Sequence, residues 1–405
     1  MDLNNIEKII VLEPIIHGNT ITENDILEIK SLIDSADAEC VHVEKVKVRE
    51  ISSATFIGSG KLLEIRDLIE KYNADSILFD GVLTPSQTTN ISEILDCKVI
   101  DRTTLILDIF AKHAVSDEGK IQVELAQLNY TYPRLKGLGT ELSRLGGGIG
   151  TRGPGETKLE TDRRHIKTRI LNLKRQIEEL KKRRDSQNER REKNSSIVIS
   201  LVGYTNVGKS TLLNLLTGSN VLAQNKLFAT LDTTVRKCKF GDYDTLLVDT
   251  VGFIKNIPTD LVDAFRSTLE SAVNSQVNVI VCDATSDYEK QTEVALSTLK
   301  DLNATAPYIL VLNKCDNMLD KDFPLDYVKI SAKTGEGIDV LKEKICQIIK
   351  NRFISKQLKI SYDKLSEFLP LTKFLENYSA QYLDDYVLVD LTAKREVYNK
   401  FIKFE

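Results

Sequence analysis

Gly203-Tyr204-Thr205-Asn206-Val207-Gly208-Lys209-Ser210 has the residue types and spacing to hold a phosphate chain. The glycines let several backbone N–H groups point at one anion, and a following helix adds its positive end. The context fits. An apolar, β-branched run, Ile197-Val198-Ile199-Ser200-Leu201-Val202, precedes the loop, and Thr211-Leu212-Leu213-Asn214-Leu215-Leu216 reads as a helix start. Strand, glycine turn and helix together make the pattern specific. Lys209 can reach the β- and γ-phosphates, and the Ser210 hydroxyl can ligate the Mg2+ that travels with them.

Further along, Asp249-Thr250-Val251-Gly252 follows the apolar Leu246-Leu247-Val248. A strand-end carboxylate such as Asp249 can hold magnesium through water, and Gly252 can bring its N–H to a γ-phosphate. Phe228-Ala229-Thr230-Leu231-Asp232 lies where a nucleotide-dependent switch belongs. Thr230 is the candidate second magnesium ligand, made only with triphosphate bound; Thr233 and Thr234 are rivals. Lys209, Thr230 and Gly252 would then meet the transferring phosphate or its metal and carry the hydrolysis.

A second pair of motifs selects the base. Asn313-Lys314-Cys315-Asp316 follows the apolar run Tyr308–Leu312. An ionised carboxylate at Asp316 accepts two hydrogen bonds side by side, which matches the ring N–H and amino group of guanine. Adenine would leave that carboxylate unpaired, so the substrate expected is GTP. Asn313 can bond the purine edge, and the Lys314 stem can lie along the base. Ser331-Ala332-Lys333 supplies a backbone N–H for the guanine oxygen. Phe253 follows Gly252, where many GTPases carry a water-orienting glutamine. Phenylalanine cannot hydrogen-bond water, so the intrinsic rate is expected to be slow and raised by a partner.

The elements that must position these residues form four regions. The chain has 405 residues, 41% hydrophobic and 28% charged, with net charge −4, an ordinary globular balance with no global nucleic-acid signal. Six scattered cysteines without C-x-x-C spacing point to thiols in a reducing compartment. Neither a leader peptide nor a membrane-spanning run is evident, so the expected location is cytoplasmic, with loose membrane association left open.

Residues 1–115 alternate apolar strands (Lys8–Leu12, Ser76–Asp80) with helical patterns (Ile26–Ile33, Leu62–Ile69), which predicts a small α/β domain with a parallel sheet. Gly58-Ser59-Gly60-Lys61 lacks the first glycine of a phosphate loop and reads as a glycine turn before a helix.

Residues 116–194 predict a helical hairpin. Ile121, Leu125, Leu128 and Tyr132 share one face of a helix that Pro133 is expected to stop. Gly137 to Gly155 holds eight of the twenty glycines and reads as a long loop. Thr157 and Glu160 form a capping box for a second helix with a seam at Leu159, Ile166, Ile170, Leu173, Ile177 and Leu180. From Lys158 to Lys193 there are 14 Lys or Arg against 7 Asp or Glu. This one-signed excess, with Arg144 and Arg152 in the glycine loop and Arg163 and Arg164 on the helix, suits RNA phosphate contacts.

Residues 195–352 carry the nucleotide motifs. Strands are expected at 235–240, 245–249, 277–283, 308–313 and 327–330, with helices near 260–273, 288–302 and 336–351, a doubly wound α/β pattern. Residues 353–405 read as a small accessory domain with a strand at Tyr386–Val389.

The ordered nucleotide motifs resemble the translation-factor-related GTPases. The stretch Gly150-Thr151-Arg152-Gly153-Pro154-Gly155-Glu156-Thr157-Lys158-Leu159-Glu160-Thr161-Asp162-Arg163-Arg164 is more specific. With Leu125-Ala126-Gln127-Leu128-Asn129-Tyr130 and Asp249–Phe253, it resembles the HflX family across roughly residues 5–352. That resemblance implies a ribosome-associated GTPase that binds the large ribosomal subunit and its ribosomal RNA. In its GTP form it would split stalled or idle ribosomes, notably under heat stress, with the glycine loop and basic helix as the arm near the peptidyl-transferase centre. A hydrophobic residue at Phe253 is part of the resemblance; Thr233, where proline is expected, departs from it without touching a proposed ligand. Alternative readings are an assembly or hibernation factor that uses GTP as a switch, and a nucleotidase whose arm serves self-association. A monomer is expected.

Overall fold

The computed structural model describes the chain outside residues 1–5, 17–20, 145–157, 194–196, 220–226, 229–232, 242, 254–270, 318–323 and 325; the side chains of 135–144, 158–159, 183–193, 376–377 and 396 are also outside the description. It is an α/β structure with a doubly wound sheet that carries the phosphate-loop motif, a smaller α/β unit, a helical hairpin and a small C-terminal sheet.

The N-terminal unit is a parallel sheet in the order β2-β1-β3-β4, formed by β1 (Lys8–Ile16), β2 (Glu39–Val48), β3 (Ser76–Phe79) and β4 (Lys98–Asp101). Buried runs such as Ile9–Leu12 are what a parallel strand covered on both faces requires. One face packs under α1 (Glu23–Ser35) and α4 (Arg102–His113) through Ile29, Leu32, Ile33, Ile106 and Phe110. The other packs under α2 (Ser59–Tyr72) and α3 (Pro85–Leu95) through Leu62, Ile65, Ile91 and Leu95. Local chemistry starts these helices. Thr22 with Asp25 and Thr84 with Gln87 form capping boxes, and Asp101 caps α4 by accepting from the Thr104 N–H. Gly58 is the N-cap of α2, in keeping with the glycine-turn reading of Gly58–Lys61.

The hairpin corrects one expectation. Helix α5 (Asp117–Arg144) runs through Pro133 instead of stopping there and takes in the first two glycines of the expected loop. A proline inside a helix costs about 3 kcal/mol through its missing N–H and ring clash, so packing must offset it. Helix α5 lies along α6 (Lys158–Lys193) and also packs on α3 and α4. Just past the proline, the Arg134 guanidinium donates to Tyr130 O at 2.9 Å and to Leu83 O at 2.9 Å, tying the helix to the N-terminal unit. The seam of α6 turns inward where described: Ile170 and Leu173 are buried, and Ile166, Ile177 and Leu180 half-buried. Thr157, the expected cap, lies outside the described residues.

The nucleotide-motif region is a six-stranded sheet in the order β10-β9-β8-β5-β7-β6. It comprises β5 (Ile197–Gly203), β6 (Thr234–Phe240), β7 (Tyr243–Asp249), β8 (Val277–Asp283), β9 (Tyr308–Asn313) and β10 (Tyr327–Lys329). All neighbours are parallel except β6 and β7. Helices α7 (Lys209–Thr217), α8 (Tyr288–Asp301) and α9 (Ile338–Asn351) flank it. The helix expected near 260–273 lies almost wholly outside the described residues.

The C-terminal segment is an antiparallel sheet, β11 (Phe353–Ser361), β13 (Tyr386–Lys394) and β12 (Leu375–Tyr382), in that order. Short helical turns cover one face with Phe368, Phe401 and Phe404.

Candidate functional site: the phosphate loop and its surroundings

The carboxyl ends of β5, β7, β8 and β9 meet at one edge of the larger sheet, where a doubly wound fold places its ligand. The loop from Gly203 to Gly208 turns off β5 into α7. Gly208 has φ of 93°, and a Cβ there would stand 2.4 Å from Asn313 Nδ2, so a side chain is barred by conformation and by space. Asn313 uses its carboxamide as a strut: Nδ2 donates to Val207 O at 2.7 Å, and Oδ1 accepts from the Ala332 N–H at 2.8 Å. One buried side chain thus joins the phosphate loop, the Asn313–Asp316 segment and the Ser331–Lys333 segment.

Lys209 is buried and folds back over the loop, its Nζ donating to Gly203 O at 3.0 Å and Tyr204 O at 2.6 Å. Burial pushes its pKa down to about 8, with the Asp249 carboxylate opposing. A desolvated ammonium at a helix start is well placed to gain from an arriving polyphosphate.

Ser210 Oγ donates to Asp249 Oδ2 at 2.6 Å, with Asp249 fully buried at the end of β7. A hydroxyl and a carboxylate oxygen in contact beside a phosphate cradle are hard oxygen donors that suit Mg2+, which Ser210 would ligate and Asp249 would hold through water. Thr250 is committed to the fold, its Oγ1 donating to Leu201 O at 2.8 Å.

Gly252 sits directly on the loop: a Cβ there would lie 2.7 Å from Thr205 Cα. Phe253 N–H donates to Gly203 O at 3.0 Å and Phe253 O accepts from Thr205 N–H at 2.8 Å, so the second motif is zipped to the first through backbone. The Phe253 ring is buried in an apolar cluster with Val202, Ala272, Ile280 and Cys282. The Phe253 side chain therefore serves packing and itself offers no polar group to a water molecule.

At the base-selecting side, Asp316 is half-buried in a single turn, Cys315–Asn317, after β9. Lys314 has φ of 66° and its Nζ bonds Asp283 Oδ2 at 2.6 Å. The Asp283 carboxylate is in turn bonded by the Thr285 N–H and hydroxyl. Sequence reading missed Asp283; a carboxylate closing the buried strand Val277–Cys282 was the available signal. Cys315 turns its thiol to Leu312 O. The Ala332 N–H goes to Asn313, which leaves the neighbouring Lys333 N–H as the candidate donor to a guanine oxygen.

Thus Gly203–Ser210, Asp249–Gly252, Asn313–Asp316 and Ser331–Lys333 converge on one edge. Of the first-switch candidates, Phe228 is buried against the N-terminal unit, while Ala229, Thr230, Leu231 and Asp232 lie outside the described residues. Among the arm residues, Arg163 stacks its guanidinium 5.5 Å from the Tyr132 ring, inside the hairpin, and Arg164 is exposed. Arg152 and the Arg144 side chain lie outside the description.

The chain matches three family descriptions in succession: GTP-binding GTPase N-terminal over residues 23–111, GTP-binding GTPase Middle Region over 113–191, and 50S ribosome-binding GTPase over 198–314. It is 41% identical over 407 residues to the GTPase HflX of Lacrimispora saccharolytica, covering 98% of this chain and 96% of that one. The chain belongs to the HflX family of GTPases. The GTPase HflX of Caldanaerobacter subterraneus is 48% identical over 80% of this chain and 76% of its own, and that of Escherichia coli 40% identical over 83% and 82%. GTP hydrolysis to GDP and phosphate is accordingly the activity of this chain. No helix among the described residues is long and apolar enough to cross a membrane.

Proposed function

We propose that this HflX-family GTPase acts on ribosomes: with GTP bound it docks on the large subunit and separates stalled or idle ribosomes, and hydrolysis releases it. The observation that carries the reading is the pairing of a segment resembling 50S ribosome-binding GTPases with a projecting basic helix in one chain. Helix α6 has 36 residues and extends about 54 Å. Its apolar seam faces α5, while Arg164, Lys167, Arg169, Lys174, Arg175, Lys181 and Lys182 are exposed. A cationic surface of this kind suits the phosphate backbone of ribosomal RNA, with binding that weakens as salt displaces it. The seam is satisfied within the chain, which favours a monomer over self-association through α6.

In the nucleotide site, Ser210 and Asp249 would hold Mg2+, joined by Thr230 when triphosphate is present. Held there, Mg2+ would supply charge neutralisation for the phosphates. Lys209 and the Gly252 N–H would meet the γ-phosphate, and Asp316 would select guanine. With Phe253 buried, none of the described residues at this position supplies the glutamine amide, so basal hydrolysis is slow and the ribosome completes or orders the site. A cytoplasmic location and a stress role accompany this reading.

Sucrose-gradient sedimentation of intact ribosomes with excess protein and GTP tests it. Conversion of the 70S peak to separate subunits is the expected result. Co-sedimentation with intact ribosomes and no splitting would transfer the reading to an assembly or hibernation factor.

A further inference from the structure

Segments flanking the proposed γ-phosphate contacts are held by the N-terminal unit, far away in sequence. The Leu227 N–H donates to Ser35 Oγ on α1 at 2.9 Å, across 192 positions. The next residue, Phe228, sets its ring edge-on against Phe110 of α4, with centroids 4.6 Å apart. Phe228 has φ of 58°, a left-handed conformation that bulky residues avoid at a cost of about 1–3 kcal/mol. The residue is 3% exposed, so burial against the N-terminal unit is what sustains that backbone. Leu227, Phe228 and Val251 all belong to the core that α1 and α4 build with the first sheet. Phe228 stands two residues before Thr230, and Val251 one before Gly252.

The phosphate loop leans the same way. Burial first, then the Glu28 carboxylate of the N-terminal unit, holds the Tyr204 hydroxyl above the usual phenol range, with Arg102 opposing. Arg102 is clamped between Asp80, at 2.8 Å, and Glu28. Asp80 and Arg102 follow β3 and β4 directly, at the carboxyl edge where an open parallel sheet ordinarily receives its ligand. The same core continues into the hairpin through Val123, Ala126 and Tyr130 of α5.

We propose that Ser35 and Phe110 are positioning residues for the GTPase reaction: they anchor Leu227–Phe228 and, together with Val251, tie the γ-phosphate-sensing segments to the N-terminal unit and, through α5, to the basic arm. This rests on the reading of Gly252 and the segment after Phe228 as γ-phosphate contacts. Contacts made only with triphosphate are worth more when their flanks are already ordered, because binding then costs less conformational entropy. The anchor should therefore favour GTP over GDP, and by reciprocity GTP should strengthen the anchor.

The test is titration of the full-length protein, with Mg2+, against a fluorescent non-hydrolysable GTP analogue and fluorescent GDP. Ser35→Ala removes one hydroxyl, and Phe110→Ala removes the ring. Each is expected to weaken the GTP analogue by about fivefold or more while GDP stays within about twofold, with Phe110→Leu recovering most of the loss. Equal losses for both nucleotides, or an unchanged ratio, would overturn the proposal. Should Phe110→Ala melt the N-terminal unit, Ser35→Ala and Phe110→Leu still decide it. Gly252→Ala separates the two readings. If it leaves the ratio unchanged while Ser35→Ala shifts it, the γ-phosphate role of Gly252 fails and the anchor stands; the reverse pattern removes the anchor and keeps the site.

Discussion

Ser210 Oγ and Asp249 Oδ2 are hydrogen-bonded at 2.6 Å, although 39 residues separate them. Parallel pairing of β5 and β7 brings the end of one strand beside the loop of the other. Each group alone is an ordinary polar side chain; together they would hold Mg2+, Ser210 directly and Asp249 through water. Substituting Asp249→Asn keeps the shape and removes the charge. Magnesium-dependent GTP hydrolysis should fall about 100-fold or more, with a larger Mg2+ requirement. A magnesium titration of the initial rate reads both; an unchanged midpoint would remove Asp249 from the metal.

Asp316→Asn replaces a two-acceptor carboxylate with an amide that presents one acceptor and one donor. GTP affinity should drop about 10- to 100-fold, the cost of a charged hydrogen-bond pair. Xanthosine triphosphate, which carries an oxygen in place of the guanine amino group, should bind the variant better than the parent. Competition binding with the two nucleotides checks the crossover. Parallel weakening of both would mean that Asp316 acts through the fold.

Gly252→Ala forces a methyl to within 2.7 Å of Thr205 Cα, where backbone cannot yield cheaply. The bridge between Tyr204 and Phe253 should open, carrying the Gly252 N–H away. Hydrolysis should fall about 100-fold, while GDP affinity, which needs no γ-phosphate contact, stays close to that of the parent. Single-turnover hydrolysis alongside GDP titration distinguishes this from general unfolding.

Glu13 is buried in the N-terminal unit, and burial first, then the Asp80 carboxylate, raises its pKa to about 8. In the unfolded chain the group titrates near 4.5. Between those values the folded state binds the extra proton, so stability contributed here is full below about pH 4.5 and is lost as pH rises through about 8. Glu13→Gln mimics the protonated form. Its melting temperature should exceed that of the parent at pH 9, and the gap should close towards pH 5. Melting curves at several pH values check this; a gap that does not vary with pH would contradict it.

Much of the nucleotide edge was legible because its signals are local. Strands Val277–Asp283 and Tyr308–Asn313 are apolar runs, interrupted only by Asn278, with a polar residue at the end, and they fold with the bounds their sequence suggests. Gly208 and Gly252 are glycines for reasons of space that the motif already encodes. What escaped depends on partners chosen across the chain. Pro133 reads as a stop because the packing that carries α5 past it comes from other helices. The face of α5 read from sequence, Ile121-Leu125-Leu128-Tyr132, is half-buried, whereas Val123, Ala126 and Tyr130 form the face that joins the N-terminal core. The Lys314–Asp283 pair and the Phe110–Phe228 contact have no periodic signature at all. In the C-terminal sheet only β13 was apparent, since edge strands β11 and β12 carry mixed polar sequences.

The central claim, a ribosome-directed GTPase working through a basic arm, is tested most directly by GTP hydrolysis of the purified protein with and without purified large ribosomal subunits, at two salt concentrations. A low basal rate, strong stimulation by subunits and loss of that stimulation at the higher salt are the predicted results. A high basal rate that subunits leave unchanged at both salts would contradict the account. The GTPase site would stand, but the ribosome would leave the mechanism and the arm would need a different partner.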